Sequence, residues 1–329
     1  MWYTRSVACN RRDIPRWYDE VSVLPVPKLI SGLRGTGKSA SLEYLYNKLR
    51  SRGVPRKRVL FVDSASLEYR RILTGEAVVT HILRQVAAEG EVHLFFSEAT
   101  ELADPEFVLA TFARLTRFRI VATSSSRRLL TGNLRKIYHV EMLVFDVLPP
   151  AGRHKFSVEA SRALWNEIFL KDVLANCHVL EVQMIDRVAG WLSDNLGDMI
   201  SLRLIANAIA PAHRSISPHT IGSYLDALVD ANLVCKAVRW DTEEDAPLST
   251  GYRYYFSNPD LRLAQYGPAP WGERRRMALN RAWLWLRHEA EEVYSASGLP
   301  EVDFVTRNGN VHAYWHVDVD GDGAVVRLD

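Results

Sequence analysis

Three cysteines in 329 residues are too few and too scattered to make a covalent framework. Cys9, Cys177 and Cys235 form no CxxC pair, and this pattern reads as a reduced, cytoplasmic protein. No apolar run approaches the roughly 18 residues that cross a bilayer, so no transmembrane helix and no membrane partner is expected. The opening segment MWYTRSVACNRRDIPRWY is charged throughout and has no apolar centre, so it does not read as a secretory signal. Lys and Arg total 41 against 39 for Asp and Glu, a formal net charge of +2. With no global field to draw the chain to nucleic acid, any such contact must be local. Internal repeats and low-complexity tracts are also missing. What remains is an ordinary globular composition, 47% apolar and 24% charged, in a chain long enough for two or three domains.

Within that composition strands and helices alternate from Pro27 to Val140. KLISG, RVLFVDS, VHLFFS and FRIVATSSS read as strands. GKSASLEYLYNKLRS reads as a helix with Leu42, Leu45, Tyr46 and Leu49 on one face, and PEFVLATFARLT as another that opens on Pro105. Units of this kind build a parallel sheet covered by helices on both faces, an α/β fold.

The segment between the first strand and the first helix, GLRGTGKS, fits the phosphate-binding pattern G-x-x-x-x-G-K-[ST] in the strand–loop–helix context that the pattern requires. Gly32, Leu33, Arg34, Gly35, Thr36, Gly37, Lys38 and Ser39, with Ala40 following, are the expected ATP-binding residues. The glycines let backbone amides curl round an anion, and the helix N-terminus adds partial positive charge. Lys38 would reach the β- and γ-phosphates, and the Ser39 hydroxyl would hold Mg2+. Further on, VHLFFS ends in Ser97-Glu98. Glu98 is placed to orient or deprotonate an attacking water. Ser97 stands where a metal-fixing carboxylate is expected and brings no charge, so Mg2+ is expected to be held less firmly, mainly by Ser39 and the phosphates. Turnover should suffer more than nucleotide binding. Asp63, which ends LFVD, is either a substitute anion or a turn former.

LPPAG at 148–152 and YGPAPWG at 266–272 break the pattern. The stretch beyond the first break is helical to about Ala210. Ser217 can cap a helix that has Pro218 at its first position and an apolar stripe of Ile221, Tyr224, Leu225 and Leu228. A two-stranded ribbon with an acidic loop follows, a combination that suggests a winged helix. His219, Ser223 and Asn232 are its candidate DNA contacts, opposed by Asp226 and Asp230 and by Asp241, Glu243, Glu244 and Asp245 in the loop. After the second break come one helix, RRMALNRAWLWLRHEAEEVY, and short strands. DVDGDGAVVRLD nearly fits a calcium loop, yet its alternation reads more simply as a hairpin. The basic runs RSRGVPRKR and RRR read as helix ends that could also touch nucleic acid.

Taken with RRDIPRWYDEV, LISGLRGTGKSASL, VHLFFSEATEL, VATSSSRRLL, SPHTIGSYLDALVDANLV, YRYYFSNPDLRLA and EVDFVTRNGNVHAYWHV, the chain resembles the prokaryotic AAA-type ATPases that carry a P-loop domain, a winged helix and a C-terminal endonuclease-like region. The resemblance implies a P-loop NTPase (AAA+) core with the catalytic strand inserted between its neighbours. It also implies four segments: 1–150, the core with an N-terminal strap; 151–200, a helical lid; 201–266, the winged helix; and 267–329, a shortened endonuclease-like domain. Ser125 and Ser126 fall at the family's polar sensor of the γ-phosphate, with Ser126 at the sensor asparagine. Arg135 falls near the family's Gly-Arg and is either an arginine finger or a solvated surface arginine. Asp303 matches the nuclease aspartate, whereas the lysine is missing from YWHVDVD and Leu279-Asn280 stand near the helix glutamate, so the nuclease site is expected to be inactive. Three functions are compatible with this sequence: a slow Mg2+-dependent ATPase that repositions its later domains, a non-hydrolysing nucleotide-gated scaffold with a protein partner or a second copy of itself, and a DNA-processing protein.

Overall fold

The computed structural model describes residues 28–131, 141–145, 157–174, 181–210, 215–320 and 323–328. The chain divides into two compact units, Met1–Val147 and Leu148–Asp329.

Unit 1 is built on a five-stranded parallel sheet. Its strands are β1 (Lys28–Gly32), β2 (Val59–Asp63), β3 (Val92–Ser97), β4 (Phe118–Ser124) and β5 (Glu141–Phe145), in the spatial order β2-β3-β4-β1-β5. β4 therefore lies between β1 and β3. The helices are α1 (Lys38–Ser51), α2 (Leu67–Arg70), α3 (Gly75–Gln85), α4 (Pro105–Arg114) and α5 (Arg128–Thr131). Alternate residues of each strand feed two cores on opposite faces of the sheet. On one face Leu29, Val62, Leu94, Phe96 and Ile120 pack with Val78 and Ile82 of α3 and with Val108, Leu109 and Phe112 of α4. On the other, Ile30, Val59 and Phe95 pack with Leu42, Leu45 and Leu49 of α1, with Tyr46 and Phe61 partly buried beside them. The expected apolar face of α1 is thus the buried one. α4 begins as its sequence suggests, with Pro105 in its first turn and the Asp104 side chain accepting from the Phe107 amide at 3.4 Å.

Unit 2 contains α6 (Val158–Ile168), α7 (Val182–Asp194), α8 (Leu202–Ile209), α9 (Pro218–Asp230), α10 (Pro259–Tyr266) and α11 (Glu273–Glu289). α9 has the cap read from the sequence: the Ser217 hydroxyl accepts from the Thr220 amide at 3.0 Å and Pro218 stands in the first turn. The strands are β6 (Val234–Asp241), β7 (Ala246–Phe256), β8 (Glu292–Ser297), β9 (Phe304–Asn308), β10 (Val311–Asp320) and β11 (Gly323–Leu328), arranged β11-β10-β9-β8-β6-β7. The β6–β7 ribbon and the strands after residue 290 share one sheet, joined where β6 runs parallel to β8 through Arg239–Asp241 and Ser295–Ser297. α11 covers this sheet with Ala278, Ala282, Trp283 and Leu286 against Cys235, Tyr255, Phe304 and Val317. α11 stops at Glu289, and Glu292-Val293-Tyr294 belong to β8, not to the helix expected to run through Tyr294. An aromatic and a β-branched residue side by side suit a pleated strand better than a helix end. The Asp318–Asp320 segment pairs with Gly323–Val325 as a hairpin, in line with that reading of DVDGDG.

Candidate functional site

In an α/β sheet of parallel strands, ligands gather beyond the carboxyl ends of the strands. Gly32, Asp63, Ser97 and Ser124 end β1, β2, β3 and β4 there. The GLRGTGKS loop leaves β1 with Gly35 at φ 82° and Gly37 at φ 90°, both in the left-handed region open to glycine. A Cβ built on Gly37 meets nothing within 4 Å, so the loop faces open space at the head of α1. The Thr36 hydroxyl donates to the Leu33 carbonyl at 2.9 Å and closes the loop on itself. The first amides of α1 have no acceptor inside the helix, and no acidic residue stands in its first turn.

Lys38 is 3% exposed. Its Nζ donates to the carbonyls of Gly32 and Leu33, each at 3.0 Å, and to Ser125 Oγ at 3.2 Å. It also stands 3.8 Å from Glu98 Oε1. The Glu98 carboxylate accepts from the Ser125 amide and the Ser125 hydroxyl, both at 2.9 Å. Glu98 sits at φ 51°, a left-handed conformation that costs a side-chain-bearing residue on the order of 1–3 kcal/mol. Its own amide donates to Thr123 Oγ1 at 3.1 Å, which fixes the turn against β4. Lys38 at the head of α1, Glu98 after β3 and Ser125 after β4 thus form one cluster, with Lys38 and Ser125 buried and Glu98 half-buried.

Ser39 meets Ser97 directly, Oγ to Oγ at 2.8 Å. The structure brings these two expected metal-facing residues together, although β3 is not a neighbour of β1. Ser126 lies apart from the cluster. Its hydroxyl accepts from the Arg128 amide at 3.2 Å and its carbonyl accepts from Ser124 Oγ at 2.7 Å and Ser31 Oγ at 3.3 Å. The hydroxyl at Lys38 and Glu98 is that of Ser125. Arg34 is half-buried in the loop, and Ala40 is exposed in the first turn of α1. Arg135 lies outside the described residues.

The groups present fit a triphosphate: a glycine loop open at Gly37, a buried ammonium and the N-terminus of α1 stand together at the carboxyl end of β1. For the metal, the contact beside Ser39 is another neutral hydroxyl. Among the described residues no group of three or more His, Cys, Asp or Glu side chains could hold a metal ion.

Residues 25–151 match the model of an AAA domain. That match indicates an AAA-type, P-loop ATPase-like domain within unit 1, with which the parallel sheet is consistent. The chain is also similar to an uncharacterized protein of Haemophilus influenzae, 22% identical over 327 residues, covering 88% of this chain and 82% of that protein. Coverage of that extent takes in much of unit 2 as well as the AAA domain.

In unit 2 the residues singled out from the sequence are held by protein partners. Asp303 receives Arg275 Nη2 at 2.5 Å on one oxygen and the Val317 amide at 2.8 Å on the other. Asp318 receives His316 Nε2 at 3.1 Å and stands 3.2 Å from Arg327. Asn280 bonds both ways to the backbone of Phe256, accepting at 2.9 Å and donating at 2.7 Å, and so extends the edge of β7. Asn232 is not presented to a partner as its place in the sequence suggested. It occupies the left-handed turn between α9 and β6 at φ 54° and is 3% exposed. Asp245 draws together Trp240 Nε1, His312 and Tyr314, and the Tyr314 hydroxyl holds its carboxyl below the usual range. Among the described residues no helix is long and apolar enough to cross a membrane.

Proposed function

We propose that the protein binds ATP and hydrolyses it slowly with Mg2+, using the nucleotide state of its AAA-type domain to reposition a winged helix at 201–266 and a shortened, inactive endonuclease-like part at 267–329. The observation that carries this reading is the Lys38–Ser125–Glu98 cluster. Lys38 neutralises phosphate charge. Glu98 is a carboxylate already held beside Lys38, and it serves as the base for water once Ser125 and Lys38 turn toward phosphate oxygens. The Ser39 hydroxyl would ligate Mg2+, which when bound supplies charge neutralisation of the phosphates. Glu98→Gln is expected to keep ATP affinity within a few-fold and to lower steady-state phosphate release by roughly a hundred-fold or more, the usual worth of a general base. Equal turnover in the variant and the wild type removes Glu98 from this role.

A second reading, a nucleotide-gated scaffold without turnover, is favoured by the Ser39–Ser97 hydroxyl pair, which offers a metal no charge. Phosphate release measured against Mg2+ concentration separates the two: release that disappears in Lys38→Ala protein supports the ATPase, and none above background supports the scaffold. In either case the partner is a protein or a second copy of the chain in preference to DNA. The proposed wing turn carries Asp241, Glu243, Glu244 and Asp245, which repel phosphate, and the Asp241 carboxylate is occupied by the amides of Glu243 and Glu244.

A further inference from the structure

The charge missing at Ser97 has a source one strand away. Asp63 and Ser97 are register partners in the parallel pair β2–β3, so their side chains leave the sheet on the same face. That face is the one α1 covers. Val59 and Phe61 of β2 share a face with Asp63, as Phe95 of β3 does with Ser97, and they pack with Leu42, Leu45 and Leu49 of α1. Ser39, in the first turn of α1, reaches the same face and touches Ser97 at 2.8 Å. Asp63 therefore shares a face of the sheet with Ser97, on the neighbouring strand, where backbones run about 4.8 Å apart.

One Asp63 oxygen accepts from the Ala65 amide at 3.2 Å, which fixes the side chain in a short turn at the strand end. Its other oxygen has no hydrogen-bond or ion-pair partner among the described residues, and the residue is exposed. Glu98, another carboxylate at this edge, is held by Ser125 and Lys38 here and, in the proposed function, is assigned to the attacking water, not to the metal. Mg2+ binds water at about 2.0–2.1 Å and keeps several of those waters in nucleotide sites. A carboxylate that accepts from such a water lies roughly 4–5 Å from the ion, so it can serve from a neighbouring strand without ligating directly.

We propose that Asp63 supplies the missing anion of the metal site, accepting from water bound to Mg2+ while Ser39 provides the direct ligand and Ser97 bridges between them. The role rests on the nucleotide-binding reading of unit 1, and it assigns to β2 the charge expected at the end of β3. Asp63 is a positioning residue for the metal's water, not a base.

The test is the ratio of the dissociation constants of a fluorescent ATP analogue in EDTA and in Mg2+, measured on the full chain. The wild-type ratio is expected to exceed one clearly. Asp63→Asn keeps the oxygen that accepts from Ala65, so the turn survives. It is expected to lower the ratio about tenfold and leave the affinity in EDTA unchanged. Adding Ser97→Asp to Asp63→Asn is expected to restore the ratio. A wild-type ratio near one, or a ratio that Asp63→Asn does not change, overturns the role of Asp63. Failure of the wild type to bind the analogue under either condition overturns the nucleotide reading itself.

Discussion

Lys38→Ala is expected to weaken ATP binding by roughly a hundred-fold or more. The ammonium is buried and already desolvated, held by two loop carbonyls at 3.0 Å. Exchanging those carbonyls for phosphate oxygens costs little further desolvation and gains charge-assisted hydrogen bonds, each worth about 1.5–3 kcal/mol. The substitution acts twice. It removes the cation proposed to face the phosphates, and it leaves Glu98, 3.8 Å away, without that counter-charge when a polyanion arrives. Calorimetry with ATP and Mg2+ reads the loss, and a melting curve of the ligand-free variant reports whether the fold survives. Binding at wild-type affinity in a folded variant would remove the GLRGTGKS loop from the phosphate site, and the catalytic role of Glu98 with it.

How much of this site the sequence carried depends on how local each feature is. The loop was legible because its chemistry lies in eight consecutive residues, and the sheet because apolar runs recur between helical stripes. The resemblance put Ser126 at the sensor position, yet the hydroxyl that meets Lys38 and Glu98 is that of Ser125. Adjacent residues at the end of a strand face opposite ways, and only the turn after β4 decides which hydroxyl meets Lys38 and which one receives the Arg128 amide. The same limit applied to Asp63. As a residue at the end of an apolar strand it reads as a turn former, and its Ala65 contact bears that out. That it also shares a face with Ser97 and Ser39 follows from strand order and register, which no window of sequence contains. In unit 2 the ribbon and the later strands were visible singly. Their union in one sheet rests on the short parallel β6–β8 pair, which joins residues more than fifty positions apart. Helix α11 was read too long because charge and alanine in RHEAEEVY favour helix locally, while Tyr294 joins Trp240 in the sheet at a ring separation of 4.8 Å.

The largest effect on stability is expected from Glu273→Ala, at about 3–5 kcal/mol. Its partner Arg262, in α10, is fully buried. The guanidinium links three helices. It donates to the Ser193 hydroxyl and carbonyl at the end of α7, both at 2.8 Å, and to the two oxygens of Glu273 at the start of α11, at 2.6 and 3.0 Å. Glu273 in turn accepts from the Ala269 amide at 2.6 Å and so fixes the turn between α10 and α11. Cutting Glu273 to alanine leaves a permanently charged arginine with no anion in an apolar setting, and arginine cannot escape by losing its proton. The variant should therefore show a lower denaturant midpoint with an unchanged slope in equilibrium unfolding. Glu273→Gln keeps an acceptor for Arg262 or Ala269 and should lose less. Replacing both partners, Arg262→Met with Glu273→Leu, removes the stranded charge and should be milder than Glu273→Ala alone. If the double variant is instead as unstable as the sum of the single ones, the pair contributes through packing and not through the burial of charge.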